Sequence, residues 1–299
     1  MATLYGNQAS NRRKTWALVT GFLVVIIMLG WAASWYFNSP AILIGAVIFS
    51  LLMNGISFWF SHKIALKTAG AKPAAENQYS ELHNIVENLS ITAGIKKPAV
   101  YVIEDASPNA FATGRNEETA AVAVTTGLLQ ILDRSELEGV IAHEIAHITN
   151  RDILLSSLVV VLVGFVTLLS DFFIRMAFFG GGGRDGRAGL VIGLVGIGLA
   201  ILSPLVAVVI QLAISRKREF LADASGALLT RYPEGLAGAL RKIDGAVSKK
   251  PLKRANHATA HLYFENPYGG DNSEKGFLTK AFMTHPPTKE RINALMERQ

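Results

Sequence analysis

The sequence predicts an α+β fold, mainly α-helical, with two transmembrane helical hairpins and a domain that contains a small β-sheet. Half of the 299 residues are hydrophobic and only 17% are charged, a composition too apolar for an ordinary soluble protein of this size. Long uncharged runs occur in two pairs along the chain. The polar stretches around them carry the spacing of amphipathic helices and short strands.

The first pair of uncharged runs predicts an N-terminal transmembrane hairpin over residues 1–69. Residues 16–37 are 22 positions without a charge, enough to cross a hydrocarbon core of about 30 Å as a helix. A short turn separates them from a second uncharged run at residues 41–60. Interfacial aromatic residues end both runs, which argues against a cleaved signal peptide.

A second hairpin is expected with spans over about residues 153–179 and 188–214. A glycine-rich turn at residues 180–183 lies between the two runs. Asp171 and Arg175 are four apart, so they can pair near the membrane face. The alternative is a pair of buried helices within a soluble domain, because the third run is marginal in length.

The distribution of basic residues predicts the orientation of these spans. Four crossings place both termini and the polar parts of the chain in one compartment, and the excess of positive charge identifies that compartment as the cytoplasm. The protein is therefore expected to be a multi-pass protein of the cell membrane, with its polar parts and both termini in the cytoplasm. The basic residues on the cytoplasmic side are Arg12, Arg13, Lys14, Lys63, Lys67, Arg216, Lys217 and Arg218, against Arg184 and Arg187 on the other side.

Composition also limits the chemistry. The chain has no cysteine, which excludes disulfides and thiolate metal ligands and leaves His, Asp and Glu as the candidates. The net charge of +6 is explained by the residues that flank the apolar runs. No basic stripe is interleaved with aromatic residues, so we expect no nucleic-acid partner.

The polar region after residue 70 predicts a linker at 71–78, an amphipathic helix around residues 82–89 and two strands, at 100–103 and 121–125. Turn residues and a short apolar stretch lie between the strands, at 105–114. One of the two strands is expected at a sheet edge, where an extended peptide can add by main-chain hydrogen bonds. A plain hairpin is the alternative.

His143, Glu144 and His147 form an H-E-x-x-H pattern. Histidines four apart on a helix stand one turn apart on the same face, so both can bind one Zn²⁺, and the intervening glutamate can serve as a general base towards a water. Ser135 and Glu138 fit a capping box for this helix. The alternative is a buried helix with two hydrogen-bonded histidines. The apolar positions at helical spacing are Leu137, Val140, Ile141, Ile145 and Ile148.

A catalytic zinc ion usually has three protein ligands, so one more is required. Glu219 is the leading candidate, and Asp223, one helical turn further on, can accept the free ring N–H of a ligating histidine. The pair His257 and His261 is the rival metal-binding site. The other interpretation of Glu219 is a surface carboxylate paired with Arg216 or Arg218.

Several stretches together resemble the HtpX family of membrane zinc proteases. The resemblance implies an endopeptidase with one Zn²⁺ per chain that removes misfolded or damaged membrane proteins, with His143, His147 and Glu219 as ligands and Glu144 as base. The stretches are 108–114, 127–129, 138–148, 151–152, 218–223 and 284–292.

Four further residues are weaker candidates. His285, also in a stretch that resembles the family, can donate to a developing oxyanion or cap the helix that follows it. Arg291 is expected to pair with a carboxylate near the site. Asn109 and Ala110 are expected to offer backbone contacts to substrate.

We therefore expect a zincin-like cytoplasmic metalloprotease domain within residues 70–299, interrupted by the second hairpin. The third span begins at Ile153, about 9 Å beyond His147 along a helix, which places the metal near the membrane surface. The rival functions are a zinc-binding membrane transporter or sensor without hydrolysis, and a membrane scaffold with an inactive site.

Overall fold

The computed structural model describes residues 4–162, 164–165, 216–247, 263–264 and 286–297. The chain opens with two long helices, α1 (Leu4–Phe37) and α2 (Pro40–Ala69), which pack against each other. Both contain segments long and apolar enough to cross a membrane, Asn11–Trp35 and Pro40–Ala69. The expected N-terminal pair of apolar helices is present, and α1 begins well before residue 16 while α2 continues well beyond residue 60.

Small residues permit the close approach of the two helices. A Cβ atom added at Gly30 would lie 2.2 Å from the Cβ atom of Ala46, so only glycine fits at this crossing. Helix α1 also carries large exposed apolar side chains, among them Trp16, Trp31 and Trp35. This surface is suited to hydrocarbon rather than to water.

The sheet has four strands in the order β1-β2-β4-β3. Strands β2 and β4 pair in parallel at its centre, and β1 and β3 pair with them in antiparallel fashion at the two edges. A small mixed sheet beside many helices confirms the predicted α+β, mainly helical fold class. The strands are β1 (Lys72–Pro73), β2 (Ala99–Ile103), β3 (Ala110–Thr113) and β4 (Ala121–Thr125).

The structure corrects two expectations about this region and excludes one alternative. The stretch 71–78 is not only a linker, because β1 pairs there with β2. The strands expected from residues 100–103 and 121–125 are parallel neighbours in the interior, which excludes the plain hairpin. The short apolar stretch between them forms β3 and occupies the edge instead. All four β3 residues are buried, and the backbone N–H of Phe264 donates to the Ala110 carbonyl at 2.8 Å.

Helix α5 (Arg134–Thr149) is the centre of the helical layer. It packs against helices on two sides and against β3, so residues 139–146 are buried all round the helix. The apolar residues predicted for this helix are among them or beside them. The other helices are α3 (Ser80–Ala93), α4 (Thr126–Ile131), α6 (Asp152–Leu162), α7 (Arg216–Thr230), α8 (Pro233–Val247) and α9 (Thr288–Met296).

The start of α5 differs from the prediction. Asp133 and Glu136 form the capping box: the Asp133 carboxylate accepts from the Glu136 N–H at 3.0 Å, and the Glu136 carboxylate accepts from the Asp133 N–H at 2.9 Å. The helix begins at Arg134, so Ser135 already lies in the first turn and Glu138 pairs with Arg134. Asp133, two residues before Ser135, thus accepts a hydrogen bond from the first turn of α5, where backbone N–H groups have no partner within the helix.

The end of α5 also differs. The chain bends by 86° between α5 and α6, and Arg151 at the bend has a left-handed backbone (φ 58°). The expected continuous helix from His147 into the third span is therefore wrong, because the bend comes before Ile153. Of the expected second hairpin, residues 163 and 166–214 lie outside the described residues.

The contact between α5 and α7 generates a stability prediction. A Cβ atom at Gly226 of α7 would lie 2.9 Å from the backbone nitrogen of His143. Gly226→Ala should therefore force the helices apart and lower the free energy of unfolding by about 1–3 kcal/mol. Urea unfolding in detergent micelles, followed by circular dichroism, measures the change.

Gly245→Ala is the control, because a Cβ atom at Gly245 of α8 meets nothing within 4 Å. That substitution should leave stability unchanged or raise it by up to about 1 kcal/mol through helix propensity. Equal stability of the two variants would contradict the close packing of α5 on α7.

Candidate metal centre

Two helices bring three potential ligands together. His143 and His147 lie one turn apart on α5, and Glu219 lies in the first turn of α7. The Glu219 carboxylate oxygens are 3.7 Å from Nε2 of His143 and 3.8 Å from Nε2 of His147. Glu219 is only 4% exposed, so it is not a surface carboxylate. The ligand atoms of all three residues lie within 4.8 Å of one another.

The other ring nitrogen of each histidine faces a carboxylate. Nδ1 of His143 is 2.8 Å from Asp223, and Nδ1 of His147 is 3.0 Å from Asp152. A carboxylate only accepts, so each Nδ1 carries a proton and each Nε2 of a neutral ring presents a lone pair. The two Nε2 atoms are 3.1 Å apart, so either a proton on one ring or a metal ion can hold them together.

The donor set fits a metal ion. Ligand atoms of a tetrahedral site with bonds of 2.0–2.1 Å lie about 3.3 Å from one another, close to the separations among these three side chains. Two imidazole nitrogens and one carboxylate oxygen leave a fourth position open. The carboxylates behind the rings fix the tautomer that metal binding needs.

The ionisation of the two histidines differs because their surroundings differ. Burial lowers the pKa of His143 to about 4, even though Asp223 opposes this. Burial also disfavours the charged form of His147, but the hydrogen bond with Asp152 and the charges of Glu219, Asp152 and Glu144 raise its pKa to about 9. Without a metal, His147 therefore holds a proton among these acidic groups, where a metal cation would take its place.

Asp223 is itself held by an arginine. Nε and Nη2 of Arg291 donate to the two carboxylate oxygens at 2.9 and 2.7 Å, and Arg291 is fully buried. Burial favours the neutral acid, but the Arg291 charge outweighs it and lowers the pKa of Asp223 to about 2. Arg291 also donates to the Phe264 carbonyl at 3.3 Å, and its guanidinium lies 4.6 Å from the Phe264 ring. The pairing of Arg291 with a carboxylate near the site is thus observed.

Asp152 has a corresponding set of partners, which sequence reasoning missed. Nδ2 of Asn11, on α1, donates to the Asp152 carboxylate and to the Asn150 carbonyl. Nη1 of Arg218 donates to the Asn11 side-chain oxygen at 3.2 Å and lies 3.4 Å from Asp152. The position of Asp152, five residues after His147, was a usable signal, whereas nothing in the sequence connects Asn11 to a residue 141 positions away.

The remaining predicted residues fall in three places. Glu144 is buried on α5 between the two histidines in sequence. Asn109 and Ala110 are buried at the start of β3, with the Ala110 carbonyl bonded to Phe264. His285 and the rival pair His257 and His261 lie outside the described residues.

Comparison with known proteins identifies the family. The family model described as peptidase family M48 matches residues 76–299, more than half of the chain. This chain belongs to peptidase family M48. The predicted resemblance to HtpX proteases is confirmed as well, since curated relatives with the name protease HtpX homolog align along almost the whole chain.

Three such M48 relatives illustrate the similarity. The relative from Caldanaerobacter subterraneus subsp. tengcongensis is 44% identical and covers 98% of this chain and 97% of its own length. The relative from Thermoanaerobacter pseudethanolicus is 45% identical with the same coverage. The relative from Pyrococcus abyssi is 49% identical over 84% of either chain.

One solved structure shares the fold. The crystal structure of S. mikatae Ste24p superposes with a TM-score of 0.50 at 18% identity, over 97% of this chain and 66% of that one. Family membership and the two apolar helices together make the chain a membrane metalloprotease of family M48. His143, His147 and Glu219 are a donor set that fits the metal ion of such an enzyme.

The Asn11 contacts generate a prediction for the M48 site. Asn11→Ala removes a hydrogen bond to the carboxylate that orients His147, so the affinity for a divalent metal should fall by roughly 10- to 100-fold. Competition with a chromophoric chelator measures this affinity in the full-length protein. Thr20→Ala, at an exposed polar position on the same helix, should leave it unchanged. Equal affinities of both variants would contradict a role for Asn11.

The Arg291 contacts generate a second prediction. Arg291→Met leaves the buried Asp223 carboxylate without its cation, which should lower the free energy of unfolding by roughly 3–5 kcal/mol. Lys289→Met, at an exposed position on the same helix, should change it by less than about 0.5 kcal/mol. Denaturant titration of the metal-free protein compares the two, and a similar loss in both would argue against the buried pair.

Proposed function

We propose that the chain is a multi-pass membrane zinc endopeptidase with a zincin-like catalytic domain. The observation that supports it best is the convergence of His143, His147 and Glu219 from two helices, with Glu144 inside the H-E-x-x-H pattern. Zinc is the metal proposed, because two neutral imidazoles, one carboxylate and an open fourth position are typical of its catalytic sites.

Each side chain of the site has a separate role in the proposed peptide hydrolysis. When bound, the zinc ion polarises the scissile carbonyl and lowers the pKa of a water molecule. Glu144 takes the proton of the attacking water and passes it to the leaving nitrogen. Asp223 and Asp152 hold the two imidazoles with Nε2 towards the metal, and Arg291 keeps Asp223 ionised.

The proposed substrate position is the outer edge of β3. An extended polypeptide would pair there with the backbone of residues 109–113 and lie across α5. The Ala110 carbonyl is bonded to the Phe264 N–H, so a substrate strand takes over this acceptor by displacing residues 263–264. Asn109 and Ala110 are the contacts proposed on this edge, and His285 is proposed as the donor to the oxyanion.

The proposed substrates are misfolded or damaged membrane proteins cut near the cytoplasmic face. The soluble elements lie beside the ends of α1 and α2 that carry the basic residues, which fits a cytoplasmic domain and cytoplasmic termini. Residues 1–69 are proposed as the anchoring hairpin and residues 70–299 as the protease domain, interrupted by the second hairpin.

The test compares two glutamates of the site. Glu144→Gln should keep the metal and reduce cleavage of an unfolded polypeptide by roughly 10²- to 10⁴-fold, because only the general base is lost. Glu219→Gln should lose both metal and cleavage. Metal analysis and gel assays on the purified protein in detergent, with and without a chelator, give both readouts.

Glu138→Gln is the control, a partly exposed glutamate on the same helix that pairs with Arg134. It should retain metal and activity. Full cleavage by Glu144→Gln would exclude Glu144 as base, and cleavage that ignores the chelator would exclude metal catalysis. Metal binding without cleavage by the wild type would favour the transporter or sensor.

A further inference from the structure

A cleft of about 1500 Å³ lies between the membrane hairpin and the soluble elements. Its walls come from residues 9–19 of α1, residues 54–59 of α2, the loop 115–118 after β3, and the start of α6. The cleft is separate from the metal centre, since none of the proposed ligands lines it. Its volume exceeds that of ordinary small-molecule pockets, which are about 300–1000 Å³.

Four arginines line the cleft: Arg12 and Arg13 from α1, Arg115 from the loop and Arg151 from the bend before α6. Among the described residues, none of the four forms an ion pair with a carboxylate. Two glutamates of the loop also line the cleft, so the sum of these charges is positive by two. A bound anion would therefore meet guanidinium groups that are not already engaged with carboxylates.

The arginines from the soluble part distinguish this cleft from the usual basic ends of membrane helices. A preference for positive charge beside a span accounts for Arg12 and Arg13, which directly precede the apolar run. This preference does not account for Arg115, which follows strand β3 and is far in sequence from both apolar helices. Nor does it account for Arg151, which lies at the bend between α5 and α6 with a left-handed backbone (φ 58°).

Aromatic rings place the cleft at the depth of lipid headgroups. Trp16, Phe58 and Trp59 line it, and both tryptophans are more than half exposed. The Arg115 guanidinium lies 4.1 Å from the centre of the Trp59 ring and 5.8 Å from that of Phe58. Tryptophan is enriched where hydrocarbon meets the headgroup layer, and a guanidinium stacked on a ring keeps its N–H groups free at the edge.

A buried polar group lies on the hydrocarbon side of the arginines. Asn54 is 8% exposed and lines the cleft; its Nδ2 donates to the Ser50 carbonyl at 3.0 Å. Its side-chain oxygen has no hydrogen-bond donor among the described residues. A buried acceptor without a donor costs free energy inside a membrane helix.

We propose that this cleft binds the headgroup of an anionic glycerophospholipid of the phosphatidylglycerol type. The arginines contact the phosphate, and the acyl chains lie along the apolar surface of α1 and α2. The soluble elements are thereby joined to the bilayer by a lipid as well as by the hairpin.

The test uses tryptophan fluorescence of the full-length protein in phosphatidylcholine nanodiscs. Trp31→Phe and Trp35→Phe remove the tryptophans distant from the cleft and leave Trp16 and Trp59 as reporters. A minor fraction of phosphatidylglycerol with brominated acyl chains should quench them several-fold more than the same fraction of brominated phosphatidylcholine. The Glu144→Gln variant should behave identically, because lipid binding does not require the proposed catalysis.

Arg115→Gln with Arg151→Gln should raise the phosphatidylglycerol fraction that gives half-maximal quenching by roughly 20-fold or more, about five-fold for each charge removed. Arg134→Gln with Arg241→Gln, two exposed arginines outside the cleft, should leave it unchanged. Arg115→Gln alone tests the same point without any change beside Asp152, and circular dichroism verifies that each variant is folded.

Three outcomes would overturn the proposal. Equal quenching by the two brominated lipids would indicate no headgroup selection. An unchanged effect in the Arg115 variants would indicate attraction by the hairpin ends alone. Full displacement of the quenching by soluble glycerol phosphate at low concentration would indicate a site for free phosphate compounds rather than for a lipid.

Discussion

The close packing of α5 on α7 is the contact on which the rest of the site depends. Gly226 lets the α7 backbone approach the backbone of His143, and this approach buries Glu219 and Asp223 beside the histidines. A separation larger by one methyl group would move a carboxylate away from both rings. The metal centre is therefore a property of a helix interface, and its geometry is as rigid as that interface.

Each acidic group behind the histidines has a cationic partner. Arg291 pairs with Asp223, which remains ionised although it is buried, and Arg218 lies beside Asp152. Buried ionised groups are tolerated only when they are paired and hydrogen-bonded. Arg291 thus acts on the site indirectly, because it keeps the Asp223 carboxylate, which faces Nδ1 of His143, in its charged form.

Helix α1 belongs to this network. Asn11 lies on α1, yet its amide contacts Asp152, Asn150 and Arg218 around the partner of His147. The cleft with its arginines adjoins the same junction, because Arg151, the neighbour of Asp152 in sequence, lines it. A change in the packing of α1 against residues 150–152 would therefore alter the hydrogen bonds of Asp152, and with them the orientation of His147, a proposed metal ligand.

Local patterns in the sequence determined the elements and the proposed first ligands. The uncharged runs predicted α1 and α2, and the periodic apolar residues predicted α3 and α5. The H-E-x-x-H spacing predicted two imidazoles on one face of a helix. Each of these patterns depends only on residues that are close together in the sequence. Only the tertiary structure decided that β3 forms the sheet edge, that the chain bends after Thr149, and that Asp152 and Asn11 support His147. These depend on contacts between residues up to 141 positions apart, which no local pattern encodes.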